Sequence, residues 1–489
     1  MSCGSTRFRH WPGYVLLVLA SLVVGCAKPR EASPGRALLS PAALLSPPAL
    51  TGQPASNAAP LEADWPGPHW WRAFGPDDLD VLVQAALQRQ PGLQVALARV
   101  RQAQAVLEGV RSDDQATLNL NLDISAQRFT ENGLSPPALA GRHRLNNAVQ
   151  WSARWEPDLG RMQPLLESAM GRERTAQAQA QAARMLLAAG VATRWTELAR
   201  LVELQTLTER SLAQRQAMLG LVAQRQAAGL DTVLELRQAE GLIAQTRVEL
   251  EALAEAAQRE RHALAELSGQ SPEALSALKP ALAELRPVPL PEQIAADLLG
   301  RRADLVALRW TVASLEGDVA LARVQFLPNV NLLAFAGLSS IGLGRLIDAG
   351  SRTYGVGPAL RLPLFEAPRL QARLDEQQAL RDGAVEAYNQ ALIAALREVA
   401  DETASLLSIE RQRQAQAQAL AAAESAYALA LQRYQAGLVN FLTVLTVENT
   451  VIAQRRLDAE LKARELATGV ALARALGGGY RTDTRPNSP

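Results

Sequence analysis

The sequence predicts a mainly α-helical chain that also contributes strands to a membrane β-barrel, and three observations lead there. A segment near the middle recurs 208 residues later, two pairs of segments alternate apolar and polar residues, and proline is absent from Leu165 to Ser271 and from Arg369 to Arg485. In the repeat, Arg225-Gln226-Ala227-Ala228-Gly229-Leu230, followed by Leu234 and Glu240, returns as Arg433-Tyr434-Gln435-Ala436-Gly437-Leu438, followed by Leu442 and Glu448. A chain so patterned is a tandem duplication.

Composition narrows the function. The 489 residues carry 50 basic against 49 acidic side chains, which gives no electrostatic footprint for a phosphate backbone, so nucleic acid is not expected as a partner. Aromatic residues make up only 4% of the chain, a mix that favours long helices over an aromatic-rich core. Two cysteines and four scattered histidines (His10, His69, His143, His262) supply neither a disulfide framework nor a metal cage.

At the N-terminus, Arg7, Arg9 and His10 precede an apolar run from Tyr14 to Val24, too short to span a bilayer but the length of a secretory leader core. The run ends at Leu22-Val23-Val24-Gly25-Cys26, which resembles a bacterial lipobox. Residues 1–25 are therefore expected to be a signal peptide and Cys26 the lipidation site. No cofactor is expected apart from that covalent lipid. Cys3 leaves with the leader, so no intramolecular disulfide forms, and Ala27 rather than Asp follows the cysteine. Residues 26–64 are rich in Pro, Ala and Ser and read as a lipid-anchored linker. The remainder divides into repeat 1 (65–283), repeat 2 (284–480) and a tail (481–489).

In repeat 1, Leu118, Leu120, Leu122, Ile124 and Ala126 alternate with Thr117, Asn119, Asn121, Asp123 and Ser125, giving a strand at about 117–128. A second, at about 145–156, sets Leu145, Val149, Trp151, Ala153 and Trp155 opposite Asn146, Gln150, Ser152, Arg154 and Glu156. Ser135-Pro136-Pro137 and Gly141 supply the hairpin loop. Repeat 2 gives strands at about 329–338 and 354–364 across a Gly-rich link, although Leu333 and Phe335 fall on the face that should be polar. Trp151 and Trp155 suit either a membrane interface or the strand-to-helix junction.

The proline-free stretches read as helical hairpins turning at Gly229 and Gly437, with tips at about 228–231 and 436–440. Leu165 to Ala228 extends to roughly 95 Å as a helix, and the return arm from Asp231 to Ser268 to only about 57 Å. A helix before the first strand, about Gln84 to Gly109, makes up the difference. The second half repeats the pattern with Asp304 to Arg323, Leu370 to Ala436 and Val439 to Ala475. Each chain should thus hold two long and four shorter helices. Four strands cannot close a barrel, for which about eight is the minimum, and an open edge in lipid leaves backbone groups unpaired. Two copies would supply eight strands and a filled interior; three would supply twelve and a water-filled lumen.

Several stretches resemble the bacterial outer-membrane factor family, the TolC-like channels, and in particular its lipoprotein branch serving resistance-nodulation-division efflux systems. They are Trp70-Trp71-Arg72-Ala73-Phe74-Gly75 with Leu79, Leu82 and Ala86; Arg301-Arg302-Ala303-Asp304-Leu305; Phe326-Leu327-Pro328 before Asn331-Leu332; Leu362-Pro363-Leu364-Phe365; Arg433-Tyr434 with Ala436-Gly437; and Ala475-Leu476-Gly477-Gly478-Gly479-Tyr480. Trp155-Glu156-Pro157-Asp158-Leu159-Gly160-Arg161 lacks the aromatic usual between Leu and Gly, and Ala303 stands where proline is common.

The resemblance implies a homotrimer in the outer membrane of a Gram-negative bacterium, in which a twelve-stranded β-barrel continues into a twelve-helix periplasmic α-barrel. A mixed belt would draw on Ser271 to Gly300. It also implies two partners, a periplasmic adaptor (membrane fusion) protein and an inner-membrane transporter that supplies the energy. By position the family's apolar aperture ring falls on Leu442, and its acidic aperture positions fall on Thr443 and Thr446. Leu442 is alternatively a packed helix residue. The tips Ala228, Gly229, Leu230 and Asp231, and Ala436, Gly437, Leu438, Val439 and Asn440, resemble docking loops for the adaptor, while their glycines also serve the turns themselves. The expected role is a passive exit duct for small toxic compounds or drugs. A duct for secreted proteins or metal ions shares the fold, and a pore-free lipid-anchored coiled coil is the alternative of another class. Neither His-Glu-x-x-His nor Gly-x-Ser-x-Gly occurs, so no enzyme is expected.

Overall fold

The computed structural model describes residues 35–40, 67–134, 136–287, 301–363 and 365–480. The expected leader, Cys26 and the tail 481–489 lie outside them, as do most of the linker and residues 288–300 of the expected belt. In chain order the main elements are helices α1 (Asp77–Arg89) and α2 (Pro91–Ser112), strands β1 (Thr117–Arg128) and β2 (His143–Trp155), and helices α3 (Met162–Ala227), α4 (Val233–Leu267) and α5 (Ala303–Val324). Strands β3 (Asn329–Ile341) and β4 (Arg352–Arg361) and helices α6 (Ala367–Gln435) and α7 (Phe441–Ala475) follow.

The sequence patterns locate each element but not every boundary. The helix expected over 84–109 is two helices, so five shorter α-helices, not four, accompany the two long ones among the described residues. Gln90 leaves the helical region with ψ 120°, because a following proline disfavours the α conformation in the residue before it. Pro91 then opens α2, where its missing N–H costs nothing. Strand β2 starts two residues earlier than expected because His143 pairs with Arg128. Strand β3 runs on to Ile341, paired with Asn146. Strand β4 spans 352–361 rather than 354–364, since Arg352 already pairs with Leu338 and Pro363 has no N–H to continue the ladder.

The chain divides into two compact units. One comprises Arg101–Thr175 and Leu308–Glu386 with the described residues 35–37. It contains one antiparallel sheet in the order β1-β2-β3-β4. Register decides which side chains share a face. Leu120 pairs with Trp151, Trp151 with Ala336, and Ala336 with Tyr354, while Leu118, Ala153, Ala334 and Val356 form the next row. The central rows of this face are apolar from edge to edge and open, with Leu118, Leu122, Tyr354 and Val356 each more than 60% exposed, while Asn147, Ser340 and Arg352 join it toward the hairpin loops. Trp151 and Trp155 both project from it and are about half exposed.

The opposite face carries Asn119, Asn121, Asp123, Gln150 and Ser152, and the apparent fault in β3 belongs to it. Phe335 pairs with Gly355 and Leu333 with Gly357. A Cβ at Gly355 would lie 2.8 Å from the Phe335 ring, so the aromatic covers backbone that the glycine leaves bare. Below the sheet, α3 and α5 approach closely at small residues. A Cβ at Gly171 would sit 2.7 Å from the Ser314 Cα, and one at Gly317 would sit 2.7 Å from the Ser168 backbone N. Ser168 donates to Asp318 at 2.7 Å, and Arg172 bridges the same carboxylate at 2.9 Å.

The second unit comprises Leu38–Val100, Ala176–Ala307 and Ala387–Pro489, described apart from the residues already excluded. Its largest core packs the 3-10 turn Trp70–Phe74 and helix α1 against Val191, Trp195 and Leu198 of α3, Leu264 of α4, and Leu466 and Val470 of α7. The Trp71 indole donates to Asp80 at 2.7 Å, which satisfies its one polar atom inside that core.

The glycine contact gives a direct test. Gly171→Leu forces α3 and α5 apart and is expected to cost about 1–3 kcal/mol. Gly109→Ala, at a helix position with open space around it, should stabilise slightly. Thermal unfolding of the detergent-solubilised protein distinguishes the two.

Candidate functional site

Both hairpin tips use the same local code. Helix α3 stops at Gly229, whose φ of 73° suits a residue without Cβ. The Gly229 N–H donates to the Gln226 carbonyl at 3.0 Å and the Leu230 N–H to the Arg225 carbonyl at 2.9 Å, a Schellman ending that satisfies the last carbonyls of the helix. Helix α6 stops in the same way at Gly437, with φ 75° and the bonds Gly437 to Tyr434 and Leu438 to Arg433, both 2.9 Å. The return helices are capped by residues 208 apart. Thr232 forms a capping box with Glu235 before α4, and Asn440 accepts from the Thr443 N–H at 3.1 Å before α7.

Away from these shared signals the halves differ, and the difference ties them together. Asp231 has no charged counterpart in the second tip, where Val439 stands, and Tyr434 stands where the first half has Gln226. Arg225 bridges Asp231 at 3.0 Å, with only 13% and 8% of the two side chains exposed. The Tyr434 hydroxyl donates to the same carboxylate at 2.5 Å. The Arg225 guanidinium lies 4.5 Å from the centre of the Tyr434 ring and donates to the Tyr434 carbonyl at 3.1 Å. Burial pushes the Asp231 carboxyl up, but Arg225 and Tyr434 outweigh it and hold it below the usual carboxylate range. Burial, and then the Asp231 charge, raise the Tyr434 phenol well above its ordinary value. Tyr434 is fully buried among Val222, Ala239, Phe441 and Val444, so one small core unites both hairpins.

A second polar contact lies further along the helices. Arg215 of α3 approaches Glu448 of α7 at 3.5 Å, both nearly buried, and donates to Thr246 at 2.7 Å and Asn449 at 3.1 Å. Burial raises the Glu448 carboxyl, and Arg215 offsets part of that rise.

The residues singled out from the sequence fall into two groups. Ala228, Gly229, Leu230, Ala436, Gly437 and Leu438 are exposed, with the two leucines 66% and 74% open. Leu442 is 59% exposed and so is not a packed helix residue within the chain. Thr443 and Thr446 are exposed beside it, the Thr446 hydroxyl donating to the Leu442 carbonyl at 2.8 Å. Asp231 and Asn440, by contrast, are engaged, the first in the buried contact and the second as a helix cap, and Val439 is half-buried against the tip core.

Arg225, Tyr434, Arg215 and Glu448 were not marked as functional by sequence patterns. For Tyr434 the signal was available in the repeat, because overlaying the halves exposes the polar mismatches Asp231 against Val439 and Gln226 against Tyr434, whereas Arg225 and Glu448 recur as Arg433 and Glu240 and give no mismatch.

Elsewhere, a cavity of about 230 Å³ sits where strands meet helices, lined in part by Glu156, Arg161, Asn329, Arg361, Glu366 and Arg369. Among the described residues no cluster of His, Cys, Asp and Glu is arranged to hold a metal ion, and no helix is long and apolar enough to cross a membrane.

Comparison with known proteins agrees with this architecture. A family model described as outer membrane efflux protein matches residues 82–270 and again 294–478. The chain is 31% identical over 419 residues to the pyoverdine export outer membrane protein OpmQ of Pseudomonas aeruginosa, covering 85% of this chain and 88% of that protein. It is 26% identical to the multidrug resistance outer membrane protein MdtQ of Escherichia coli O157:H7, covering 97% and 99%. Among solved structures, the outer membrane protein VceC of Vibrio cholerae superposes with a TM-score of 0.79 at 31% identity, covering 85% of this chain and all of that one.

The tip contact predicts a measurable loss. Tyr434→Phe keeps the ring in its core and removes only a hydrogen bond to a charged group, at a cost of about 2 kcal/mol. Hydrogen exchange should show the Gly229–Asp231 and Gly437–Val439 amides opening roughly 30-fold more often, with the amides around Trp195 unchanged.

Proposed function

Because the chain belongs to the outer membrane efflux protein family, we propose that it forms the outer-membrane duct of a tripartite efflux system, a passive exit for small toxic compounds. The observation that carries this is the sheet, four strands with one face open and apolar across its central rows. Such a face needs lipid, and its unpaired edges need neighbouring strands. Three copies give twelve strands around a water-filled lumen, and the long helical hairpins extend the duct into the periplasm. An inner-membrane pump of the resistance-nodulation-division type supplies cargo and energy through a periplasmic adaptor, while the duct performs no chemistry. Pyoverdine export and multidrug resistance in the names of relatives favour small molecules over secreted proteins or metal ions as cargo.

In this reading Cys26 carries the lipid anchor, and the exposed tip leucines Leu230 and Leu438 meet the adaptor. Leu442 narrows the periplasmic aperture, and the buried contact of Arg225, Asp231 and Tyr434 holds the two hairpins in the closed arrangement. Three Leu442 side chains brought together exclude water by apolar contact. Thr443 and Thr446 add no charge to the constriction, so divalent cations find no carboxylate ring there.

Single-channel recording of the purified protein in lipid tests the duct, and a water-soluble monomer that never conducts would falsify it. Thr446→Asp is expected to introduce block by divalent cations that the parent lacks; no rise in block would count against the assigned aperture. Cys26→Ser should abolish the acyl-chain mass increment of the mature protein and leave helix content unchanged by circular dichroism.

A further inference from the structure

We infer that the barrel section of this duct favours anions, so that the cargo it passes most readily is negatively charged. The inference rests on the duct reading above and adds a charge class to it. Since the apolar face of the sheet is given to lipid, the opposite face is turned to the enclosed water. Register assigns to that face Asp123 of β1, Arg144 and Arg154 of β2, and Arg361 of β4 as its charged residues within the strands.

Their partners decide the net field. Arg361 is bridged to Glu366 at 3.0 Å, a carboxylate it shares with Arg369 at the strand-to-helix junction, so it is left out of the count of free charges. The Arg144 guanidinium donates only to the His143 backbone carbonyl, at 3.3 Å. Arg154 has no carboxylate within salt-bridge distance among the described residues. Both arginines are exposed, as is Asp123. Two free cations against one free anion leave each chain one positive charge in excess on its water-facing strands, and every further copy adds another. The hairpin tips do not oppose this. Asp231 and Glu448 are nearly buried against arginines, and Thr443 and Thr446 are neutral. A narrow water path walled by low-dielectric protein focuses such a field and raises the local concentration of the opposite ion.

The test is the reversal potential of the full-length protein in planar bilayers under a potassium chloride gradient, at low ionic strength where screening is weak. Chloride should permeate in preference to potassium by roughly threefold. Arg144→Gln with Arg154→Gln should bring the ratio to one or below, and Asp123→Asn should raise it. A parent channel that prefers potassium overturns the inference alone, as does a ratio indifferent to both variants. Failure of the parent to conduct removes the duct and this inference with it. Because Asp123→Asn acts in the opposite direction to the arginine changes, a loss of assembly cannot imitate the expected pair of shifts.

Discussion

The constraint on which the rest depends is the incompleteness of the sheet. Four antiparallel strands bury no apolar face within the chain, and their outer edges on β1 and β4 carry unpaired N–H and C=O groups. In water such a face would drive aggregation, and in lipid such edges would cost several kcal/mol per unsatisfied group. Lipid covers the face, and pairing with further copies removes the open edges. Closure then follows from hydrogen-bond accounting, and the enclosed space is polar because strand geometry sends alternate side chains to opposite faces.

The helical part answers a different requirement, that of holding long hairpins in register. Its devices are local and repeated. Gly229 and Gly437 end the outgoing helices in the same geometry, and Thr232 and Asn440 start the return helices with different side chains doing the same job. Duplication preserved these signals because each satisfies backbone groups that any helix end leaves open. Where the two halves must do different things, they diverge. Asp231 and Tyr434 occupy positions whose repeat partners are Val439 and Gln226, and their contact joins one hairpin to the other. A symmetric pair of tips would have offered either two buried carboxylates or none.

Close packing governs the helices beneath the sheet in the same way. At Gly171 and Gly317 the backbones of α3 and α5 come within reach because no side chain intervenes, and Ser168, Ser314, Asp318 and Arg172 use the proximity for hydrogen bonds. Phe335 illustrates the reverse case in the sheet. It breaks the polar alternation of its own strand because Gly355 opposite leaves a space that an aromatic ring fills.

What the amino-acid sequence determined by itself was whatever depends on near neighbours along the chain. Alternation from Thr117 to Gln127 gives a strand, the absence of proline permits the long helices, Gly229 and Gly437 mark the turns, and the 208-residue offset gives the tandem plan. Even the split at Gln90 and Pro91 was written locally, though the surrounding helical pattern obscured it. The tertiary structure alone decided what depends on distant residues meeting. It set the register that places Trp151 and Trp155 on the apolar face, the pairing of Phe335 with Gly355, and the meeting of Asp231 with Tyr434 across 203 residues of chain. Those contacts are invisible in the sequence for a physical reason. A hydrogen bond or a packed ring is specified by position in space, and residues remote along the chain acquire that position only once the hairpins have folded together.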